Sequence, residues 1–497
     1  MALSFGTSGV RGLETELTDE ACSQFARAFV RHYRSLGRGS AESRNAMVIG
    51  GDLRRSTPRI MEAIARGLAA EGCKVLDAGV LPTPALASEC IVRGLPGIVV
   101  TGSHIPADRN GIKFYFPWGE VLKADEAPIL AHVAALEKAA AASGAESRAA
   151  KGTPTAQMAP PAQVQREKIS AGENFVERYA QFFGPKALAG MKIAFYEHST
   201  AGRDLTPRIL ERLGATVVRF GRSQEFIPVD TEALENVQAL ANELKKHGAH
   251  ALLSADGDGD RPLLLDDRGE VVRGDQLGIL GALALEADSV STPVSSSTAL
   301  EKTGKFREIR RCKIGSPFVV AEMEAALEAG KKRVIGFEAN GGFLLGSPIE
   351  AASGLGMPGA RLTPLPTRDS VLPPLLALAA ATRRGISLSQ LVAELPPRYT
   401  VSDLIRPFAV EKSRAVLALL QASDFGAVKA RWEAELGKLG KPDLTDGVRL
   451  EFADSDILHF RPSGNAPEFR IYSEASSEAR ATELNRKARQ WVESLAN

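Results

Sequence analysis

A serine and a group of three aspartates are the residues of this chain best suited to chemistry. Ser103 lies in the segment Thr101–Pro106, directly after the apolar run Gly97–Val100. Much later, Asp-Gly-Asp-Gly-Asp-Arg occupies residues 256–261. A hydroxyl on a turn and a separate set of three carboxylates are what a phosphoserine and its divalent cation require. The pattern therefore predicts movement of phosphoryl groups.

The surroundings of Ser103 favour a turn over regular structure. Ser103 follows a predicted strand, and Pro106 ends any regular element that would begin there. We expect an exposed turn, because an incoming group must approach the hydroxyl in line. A Ser-His pair on a loop is, by itself, more often ordinary surface. Hydrolase and nucleotide-binding alternatives are disfavoured, since no G-x-S-x-G surrounds Ser103 and no G-x-x-x-x-G-K-[ST] occurs in the sequence.

The three aspartates follow a predicted buried strand at Ala249–Ser254. On a turn, Asp256, Asp258 and Asp260 can converge, whereas a helix would separate them. Three converging charges repel one another unless a cation compensates them. Oxygen ligands favour Mg²⁺. The alternative is a solvated acidic turn without a metal.

Two later segments could bind an anion and a sugar. Arg461–Arg470 has arginines at both ends of a Gly-containing turn, and this favours a phosphate site. Glu338 and Asn340 lie on a Gly-rich turn and could bond vicinal sugar hydroxyls. Both patterns also occur in turns without a ligand.

Length, composition and net charge limit the classes of partner that this chain could bind. The chain has 497 residues and a net charge of +1, so we expect no nucleic-acid binding and several domains. No signal peptide or membrane span is recognisable, and the four scattered cysteines suggest reduced thiols. We expect no membrane association and a cytoplasmic location.

One pattern recurs three times: apolar residues at helical spacing, then a glycine, then a run rich in strand-forming residues. It occurs in Met61–Gly79, Leu205–Gly221 and Ala321–Gly336. This alternation predicts α/β domains with parallel or mixed sheets. Residues 139–165 are predicted to be a linker, followed by a helix over Glu167–Phe183. Beyond residue 390, helices at Glu411–Ser423 and Ser477–Leu495 flank short strands, which indicates a smaller α+β domain. The predicted domains are 1–165, 166–272, 273–388 and 389–497.

Taken in order along the chain, these motifs resemble the α-D-phosphohexomutase superfamily, and its phosphomannomutase/phosphoglucomutase branch in particular. The resemblance covers the whole chain. It is carried by the segments Phe5–Gly12, Thr101–Pro106, Asn110–Lys113, Asp256–Arg261, Glu338–Gly342 and Arg461–Arg470. It implies three similar α/β domains and a C-terminal α+β domain around a central cleft.

The resemblance also implies roles for individual residues. Expected catalytic residues are Ser103, Lys113, His104 and Arg11, and the expected metal ligands are Ser103, Asp256, Asp258 and Asp260. Expected substrate-binding residues are Arg261, Glu338, Asn340, Arg461, Ser463, Gly464, Asn465 and Arg470. Lys113 and His104 are the candidates for general acid or base, and neighbouring cations could lower the pKa of Lys113. Mg²⁺ and a hexose 1,6-bisphosphate activator are the implied cofactors.

The activity implied is interconversion of mannose 6-phosphate and mannose 1-phosphate, with glucose phosphates as further substrates, by a monomer or homodimer. The alternatives are a phosphoglucomutase, an amino-sugar phosphomutase, or a non-catalytic protein that binds sugar phosphates. Departures from the family pattern affect sugar preference. The sugar loop has Gly342 where relatives often carry His and Asn340 in place of the usual serine, and Asn465 is followed by Ala466 instead of the usual Thr-Glu.

Overall fold

The computed structural model describes residues 3–5, 9–149, 164–351, 355–462 and 467–496. The chain divides into two compact units. The first unit contains Met1–Glu286 and Asn340–Ser389, and the second contains Ala287–Ala339 and Gln390–Asn497. The chain therefore crosses from one unit to the other more than once.

Helices and strands alternate through the part of the first unit that precedes residue 287. Its strands are β1 (Ser4–Phe5), β2 (Gly9–Leu13), β3 (Ala46–Gly51), β4 (Lys74–Val80), β5 (Gly97–Val100), β6 (Arg109–Phe116), β7 (Gly119–Glu120), β8 (Arg166–Lys168), β9 (Lys192–Tyr196), β10 (Thr216–Phe220), β11 (Ala251–Ala255) and β12 (Pro262–Leu265). Its helices are α1 (Asp19–Ser35), α2 (Thr57–Ala70), α3 (Thr83–Arg93), α4 (Lys123–Ala149), α5 (Ala171–Phe183), α6 (Leu205–Arg212), α7 (Val237–His247) and α8 (Gly274–Ala284).

The rest of the chain continues this alternation and then changes character. Its strands are β13 (Ser289–Pro293), β14 (Glu308–Cys312), β15 (Val334–Phe337), β16 (Phe343–Leu345), β17 (Ile349–Glu350), β18 (Arg361–Leu362), β19 (Leu365–Asp369), β20 (Tyr399–Ile405), β21 (Val448–Glu451), β22 (Ile457–Pro462) and β23 (Phe469–Ala475). Its helices are α9 (Ala299–Lys302), α10 (Ser316–Glu328), α11 (Leu372–Arg384), α12 (Leu388–Val392), α13 (Val410–Leu436) and α14 (Glu478–Leu495).

The sheets of the first unit are mixed. In the largest sheet the order is β1-β2-β6-β5-β3-β4-β8, with β7 beside β6, and β3 pairs in parallel with β4 and β5 while β6 is antiparallel to β5. The next sheet has the order β10-β9-β11-β12, in which only the β11–β12 pair is antiparallel. Further along the chain, β16 and β19 form an antiparallel pair.

In the second unit, β13 lies between β14 and β15 and is parallel to both. The C-terminal strands form an antiparallel sheet of order β20-β23-β22-β21, packed against α13 and α14 around Trp432 and Phe460. The predicted class, three α/β domains with mixed sheets and a C-terminal α+β domain, is confirmed. The four domain boundaries and the central cleft stay predictions.

Local sequence explains how the first helices begin and end. Thr18 precedes α1 and its hydroxyl accepts a hydrogen bond from the Ala21 amide at 3.2 Å, which satisfies a free helical N–H. α3 ends at Gly94, whose φ of 64° lies in the left-handed region that favours glycine. The apolar face of α1 packs on β6, with the rings of Phe29 and Phe114 4.8 Å apart. Among the described residues, no helix combines the length and apolar content needed to cross a bilayer.

Two details of the predicted organisation were wrong. The helix expected over Glu167–Phe183 begins only at Ala171, because Arg166–Lys168 pairs in parallel with β4 and satisfies its backbone groups there. The linker expected at 139–165 is helical as far as Ala149, because its alanines favour helix without an apolar period. Residues 150–163 of that prediction lie outside the described part of the chain.

A buried ionic cluster joins the two segments of the second unit. Glu474 on β23 accepts hydrogen bonds from the Thr298 amide at 2.9 Å and the Thr298 hydroxyl at 2.6 Å. It also accepts one from Arg398 Nε at 2.9 Å, and both charged side chains are at least nine-tenths buried. The carboxylate thus ties the start of α9 to the C-terminal sheet, and its charge is compensated by a buried arginine.

We predict that Glu474→Gln destabilises the second unit by about 2–4 kcal/mol, because it removes the carboxylate charge that accepts from the buried Arg398 cation. The measurement is urea unfolding combined with hydrogen exchange of the peptide containing Thr298. Glu478→Gln, at an exposed position of α14, is the matched control and should cost less than about 0.5 kcal/mol. Equal unfolding midpoints for the two variants would contradict the assigned role of Glu474.

Candidate active site

Ser103 occupies a strained turn after β5. Its φ of 54° is unusual for a residue with a side chain, and its amide donates to the Thr101 hydroxyl at 2.8 Å. Its hydroxyl donates to Asp256 Oδ2 at 2.7 Å, and His104 Nδ1 lies 3.3 Å from it. The expectation of an exposed turn was wrong, since Ser103 is only 2% exposed. The aspartate loop packs against it and covers it.

The three aspartates lie on the connection between β11 and β12, and each is at most 1% exposed. One carboxylate oxygen from each lies within 4.8 Å of the others. Asp256 Oδ1 accepts the amides of Asp260 and Arg261 at 3.1 and 3.2 Å, which closes the turn. The convergence predicted from the Asp-Gly-Asp-Gly-Asp spacing is therefore present in the structure.

Lys113 compensates two of these aspartates. Its ammonium group donates to Asp258 Oδ2 at 2.6 Å and to Asp260 Oδ2 at 2.9 Å. Burial alone would lower the pKa of Lys113, but the charges of Asp258 and Asp260 outweigh it, so the pKa is raised. The expectation of a lowered pKa was therefore wrong for this arrangement.

The carboxylates differ in their charge state. Burial and the charges of Asp258 and Asp260 raise the pKa of Asp256 well above its ordinary value. Burial also disfavours the charge of Asp258, but Lys113 outweighs it and the pKa of Asp258 is lowered. The pKa of Asp260 is lowered in the same way, with Arg368 as the largest favourable charge.

The donor set fits a divalent cation. Asp258 Oδ1 and Asp260 Oδ1 are buried and have no hydrogen-bond partner among the described residues. A buried acceptor without a partner is costly unless a ligand satisfies it. Together with Asp256 and the Ser103 hydroxyl, these oxygens form the all-oxygen set that suits Mg²⁺.

Further cations surround the carboxylates. Burial, and then the charges of Arg368 and Arg261, lower the pKa of the Arg11 guanidinium, so these three arginines act on one another electrostatically. Burial followed by the charge of Arg261 lowers the pKa of His104 to about 4, which leaves its imidazole neutral near pH 7. The site therefore combines fixed positive charge with a neutral histidine beside the Ser103 hydroxyl.

Two arginines that sequence reasoning missed belong to this region. The side chain of Arg368 donates to Asp260 Oδ2 through Nε at 3.2 Å, and its Nη2 lies 3.0 Å from the same oxygen. Arg54 is buried beneath the Ser103 loop. The aspartate motif predicts that cations must lie near the three carboxylates, because buried acids require compensating charge. It does not indicate which arginines supply that charge.

The Ser103 loop is built around the Arg54 guanidinium. Its Nη2 donates to the carbonyls of Ser103 at 2.9 Å and Ile105 at 2.6 Å, and its Nη1 donates to those of Pro106 at 2.6 Å and Arg109 at 2.8 Å. A Cβ on Gly102 would lie 2.6 Å from Arg54 Cζ, so glycine is required at that position. Arg54 therefore holds the loop in the conformation that aims the hydroxyl at Asp256.

The predicted sugar and phosphate loops are described only in part. Glu338 is buried after β15 in the second unit, and in the first unit the Asn340 amide oxygen accepts from the Gly342 amide at 2.9 Å. Arg461 and Arg470 are paired across β22 and β23. Three predicted phosphate-binding residues, Ser463, Gly464 and Asn465, lie outside the described residues.

We predict that Arg54→Lys speeds hydrogen exchange across residues 101–111 and destabilises the first unit by about 2–4 kcal/mol. A lysine cannot serve four carbonyls in the plane of a guanidinium, so buried acceptors lose their donors. Arg55→Lys, at the exposed neighbouring position, is the control and should leave exchange unchanged. Native protection of residues 101–111 in Arg54→Lys would refute the role given to Arg54.

Models of known protein families match most of this chain in consecutive segments. Residues 2–140, 173–269 and 273–399 match α/β/α domains I, II and III of phosphoglucomutase/phosphomannomutase, respectively. These segments contain the Ser103 loop, the aspartate turn and the Glu338–Gly342 loop in that order.

Full-length relatives agree with these matches. The chain is 41% identical to a phosphomannomutase of Sinorhizobium fredii, with 97% of each chain covered. It is 39% identical to a phosphomannomutase of Salmonella muenchen, with 97% of this chain and 94% of the relative covered. The crystal structure of a phosphoglucomutase/phosphomannomutase family protein from Burkholderia thailandensis shares the fold, with a TM-score of 0.72, 21% identity and coverage of 98% and 96%. This chain therefore belongs to the phosphoglucomutase/phosphomannomutase family of the α-D-phosphohexomutase superfamily and is a mutase, an intramolecular phosphotransferase.

Proposed function

We propose that this chain interconverts mannose 6-phosphate and mannose 1-phosphate through a phosphoserine at Ser103 and a hexose 1,6-bisphosphate intermediate. The observation that carries the proposal is the 2.7 Å hydrogen bond from the Ser103 hydroxyl to Asp256, within a buried group of three aspartates and several cations. A nucleophile needs such preorganised charge if it is to accept and return a phosphoryl group. The two bacterial relatives named phosphomannomutase support mannose as the sugar.

In the proposed cycle, Ser103 carries a phosphoryl group in the resting enzyme. The 6-hydroxyl of a hexose 1-phosphate attacks the phosphorus, and the new oxygen–phosphorus bond forms as the bond to Ser103 Oγ breaks. The hydroxyl proton leaves to a base. The bisphosphate then reorients, and Ser103 Oγ bonds to the phosphorus at C1 as the bond from that phosphorus to the sugar oxygen breaks. The sugar oxygen takes up a proton, so the step leaves hexose 6-phosphate and regenerates the phosphoserine. Added hexose 1,6-bisphosphate therefore acts as an activator, because it restores any enzyme that has lost its phosphate.

Fixed charge at the Ser103 site would stabilise the transferring group. Arg11, Arg261 and Lys113 lie around the aspartate turn and oppose the negative charge that spreads over the equatorial oxygens. Mg²⁺ held by Asp256, Asp258, Asp260 and a Ser103 oxygen would supply further positive charge to the same group. Neither role requires Lys113 to lose its proton.

His104 is the better candidate for proton transfer. Its Nδ1 lies 3.3 Å from the Ser103 hydroxyl, which places a ring nitrogen within reach of a proton at the reacting oxygen. Lys113, whose pKa is raised by two carboxylates, acts as a permanent cation. We therefore assign proton transfer to His104. Lys113 is assigned to charge neutralisation and to the positioning of Asp258 and Asp260.

Sugar recognition is assigned to the later loops. Glu338 and Asn340 would bond the 3- and 4-hydroxyls, which nearly exchange places when the sugar turns over. The phosphate that does not react would be held by Arg461, Ser463, Gly464, Asn465 and Arg470. Mannose and glucose differ at C2, which Glu338 and Asn340 do not read, so glucose phosphates are expected as additional substrates. A cytoplasmic location and a monomeric or homodimeric state remain predictions from the sequence.

The proposal predicts turnover of mannose 1-phosphate when Mg²⁺ and a trace of hexose 1,6-bisphosphate are present, with slower turnover of glucose 1-phosphate. Ser103→Ala should reduce the rate by at least about 1,000-fold, because the phosphoryl acceptor is lost, while calorimetry still detects substrate binding. Ser476→Ala, at an exposed position, is the matched control.

Other outcomes select the alternatives. Preference for glucose or glucosamine phosphates would replace mannose as the substrate and leave the chemistry unchanged. Binding without turnover of any hexose phosphate would indicate a sugar-phosphate-binding protein and overturn the proposal.

A further inference from the structure

Asp258 and Asp260 each have one carboxylate oxygen engaged by the protein. Asp258 Oδ2 accepts from Lys113 at 2.6 Å and from the Thr83 hydroxyl at 2.8 Å. Asp260 Oδ2 accepts from Lys113 at 2.9 Å and lies 3.0 Å from Arg368 Nη2. Asp256 differs, because its Oδ1 accepts two backbone amides and its Oδ2 accepts the Ser103 hydroxyl. The bonds to Lys113, Thr83 and Arg368 limit Asp258 and Asp260 to a single oxygen each for a metal.

The oxygens that remain on Asp258 and Asp260 are the orphaned ones. Neither Oδ1 has a hydrogen-bond partner within the described residues, although both aspartates are buried. Arg261 Nε lies 3.8 Å from Asp260 Oδ1, beyond hydrogen-bond distance. In both aspartates, therefore, the protein binds Oδ2 and leaves Oδ1 available to a metal ion.

This division of oxygens has a consequence for the choice of metal. Ca²⁺ is bound by six to eight oxygens and commonly takes both oxygens of a carboxylate, whereas Mg²⁺ is octahedral, keeps several waters and needs few protein ligands. A turn on which Asp258 and Asp260 can each offer only one oxygen suits the smaller ion. We propose that Arg368, together with Lys113, determines metal selectivity by blocking bidentate coordination and so excluding Ca²⁺.

Arg368 is built into this position by packing as well as by charge. A Cβ on Gly342 would lie 2.5 Å from Arg368 Cγ, so the arginine stem fills the space beside the Asn340–Gly342 turn. The guanidinium is then directed at Asp260, and the side chain is only 7% exposed. Ser370, two residues later, donates to the Gly259 carbonyl at 2.7 Å and fixes the same turn. The segment at the end of β19 thus contacts both the metal-binding turn and the Asn340–Gly342 turn, and it fixes their relative positions.

The inference rests on the proposed metal site but concerns its selectivity. The test measures dissociation constants of Mg²⁺ and Ca²⁺ on the full chain by isothermal titration calorimetry, with Ser103 phosphorylation checked by intact mass. Arg368→Met keeps the aliphatic stem against Gly342 and removes the two Arg368 contacts of Asp260 Oδ2, so that Lys113 is the remaining side-chain donor to this oxygen. It should raise Ca²⁺ affinity relative to Mg²⁺ affinity by about tenfold, because Asp260 Oδ2 then has fewer donors that compete with the ion. Lys113→Met is a second variant with the same expected direction, and Arg368→Lys should keep most of the native selectivity.

Arg11→Met is the matched control for charge alone. Arg11 contributes positive charge to the same region, but it has no hydrogen bond to the three aspartates among the described residues. Its loss should strengthen the binding of both ions and leave the ratio of their affinities within about twofold of the native value. The comparison separates the loss of a cation from the release of an oxygen.

The outcomes distinguish the inference from the function on which it rests. An unchanged ratio in folded Arg368→Met and Lys113→Met, with native mutase turnover in the unmodified chain, would overturn the selectivity role alone. An equal rise of the ratio in Arg11→Met would also overturn it, because charge and not denticity would then be responsible. Failure of the unmodified chain to bind either ion would remove both this inference and the proposed metal site.

Discussion

The mutual repulsion of three buried carboxylates on one turn is the constraint on which the active site depends. Water cannot screen Asp256, Asp258 and Asp260, so the protein must surround them with cations and donors or leave them protonated. The three carboxylates are compensated to different degrees. Lys113 and Arg368 lower the pKa values of Asp258 and Asp260, whereas the pKa of Asp256, which accepts the Ser103 hydroxyl, is raised. Ser103 is thus held by the carboxylate whose charge is least compensated.

Satisfying this turn draws together distant parts of the first unit. Thr83 at the start of α3, Lys113 on β6 and Arg368 on β19 all donate to the aspartates. Arg54 stabilises the neighbouring Ser103 loop in a similar way, because its guanidinium donates hydrogen bonds to the carbonyls of that loop. Both loops are thus fixed by buried cations from other elements. Such rigid positioning keeps reacting groups aligned, as phosphoryl transfer demands.

The sequence was sufficient where the signal was local. The Asp-Gly-Asp-Gly-Asp spacing predicted converging carboxylates, and the recurring helix–strand pattern predicted α/β domains. Arg54 and Arg368 could not be found in this way, because their partners are far away in sequence and include backbone carbonyls, which carry no residue signature. The burial of Ser103 and the raised pKa of Lys113 were missed for the same reason, since both follow from the packing of the aspartate turn. At Arg166–Lys168, pairing with β4 overrode a local helical pattern.

The central claim is that Ser103 beside the aspartate turn carries the phosphoryl group. Tandem mass spectrometry of the full chain tests it most directly, after incubation with Mg²⁺ and hexose 1,6-bisphosphate and again after addition of excess mannose 1-phosphate. The account predicts a phosphate on Ser103 that is transferred to the sugar in the second step. Turnover with Ser103 unmodified throughout, or with the phosphate on another residue, would contradict it.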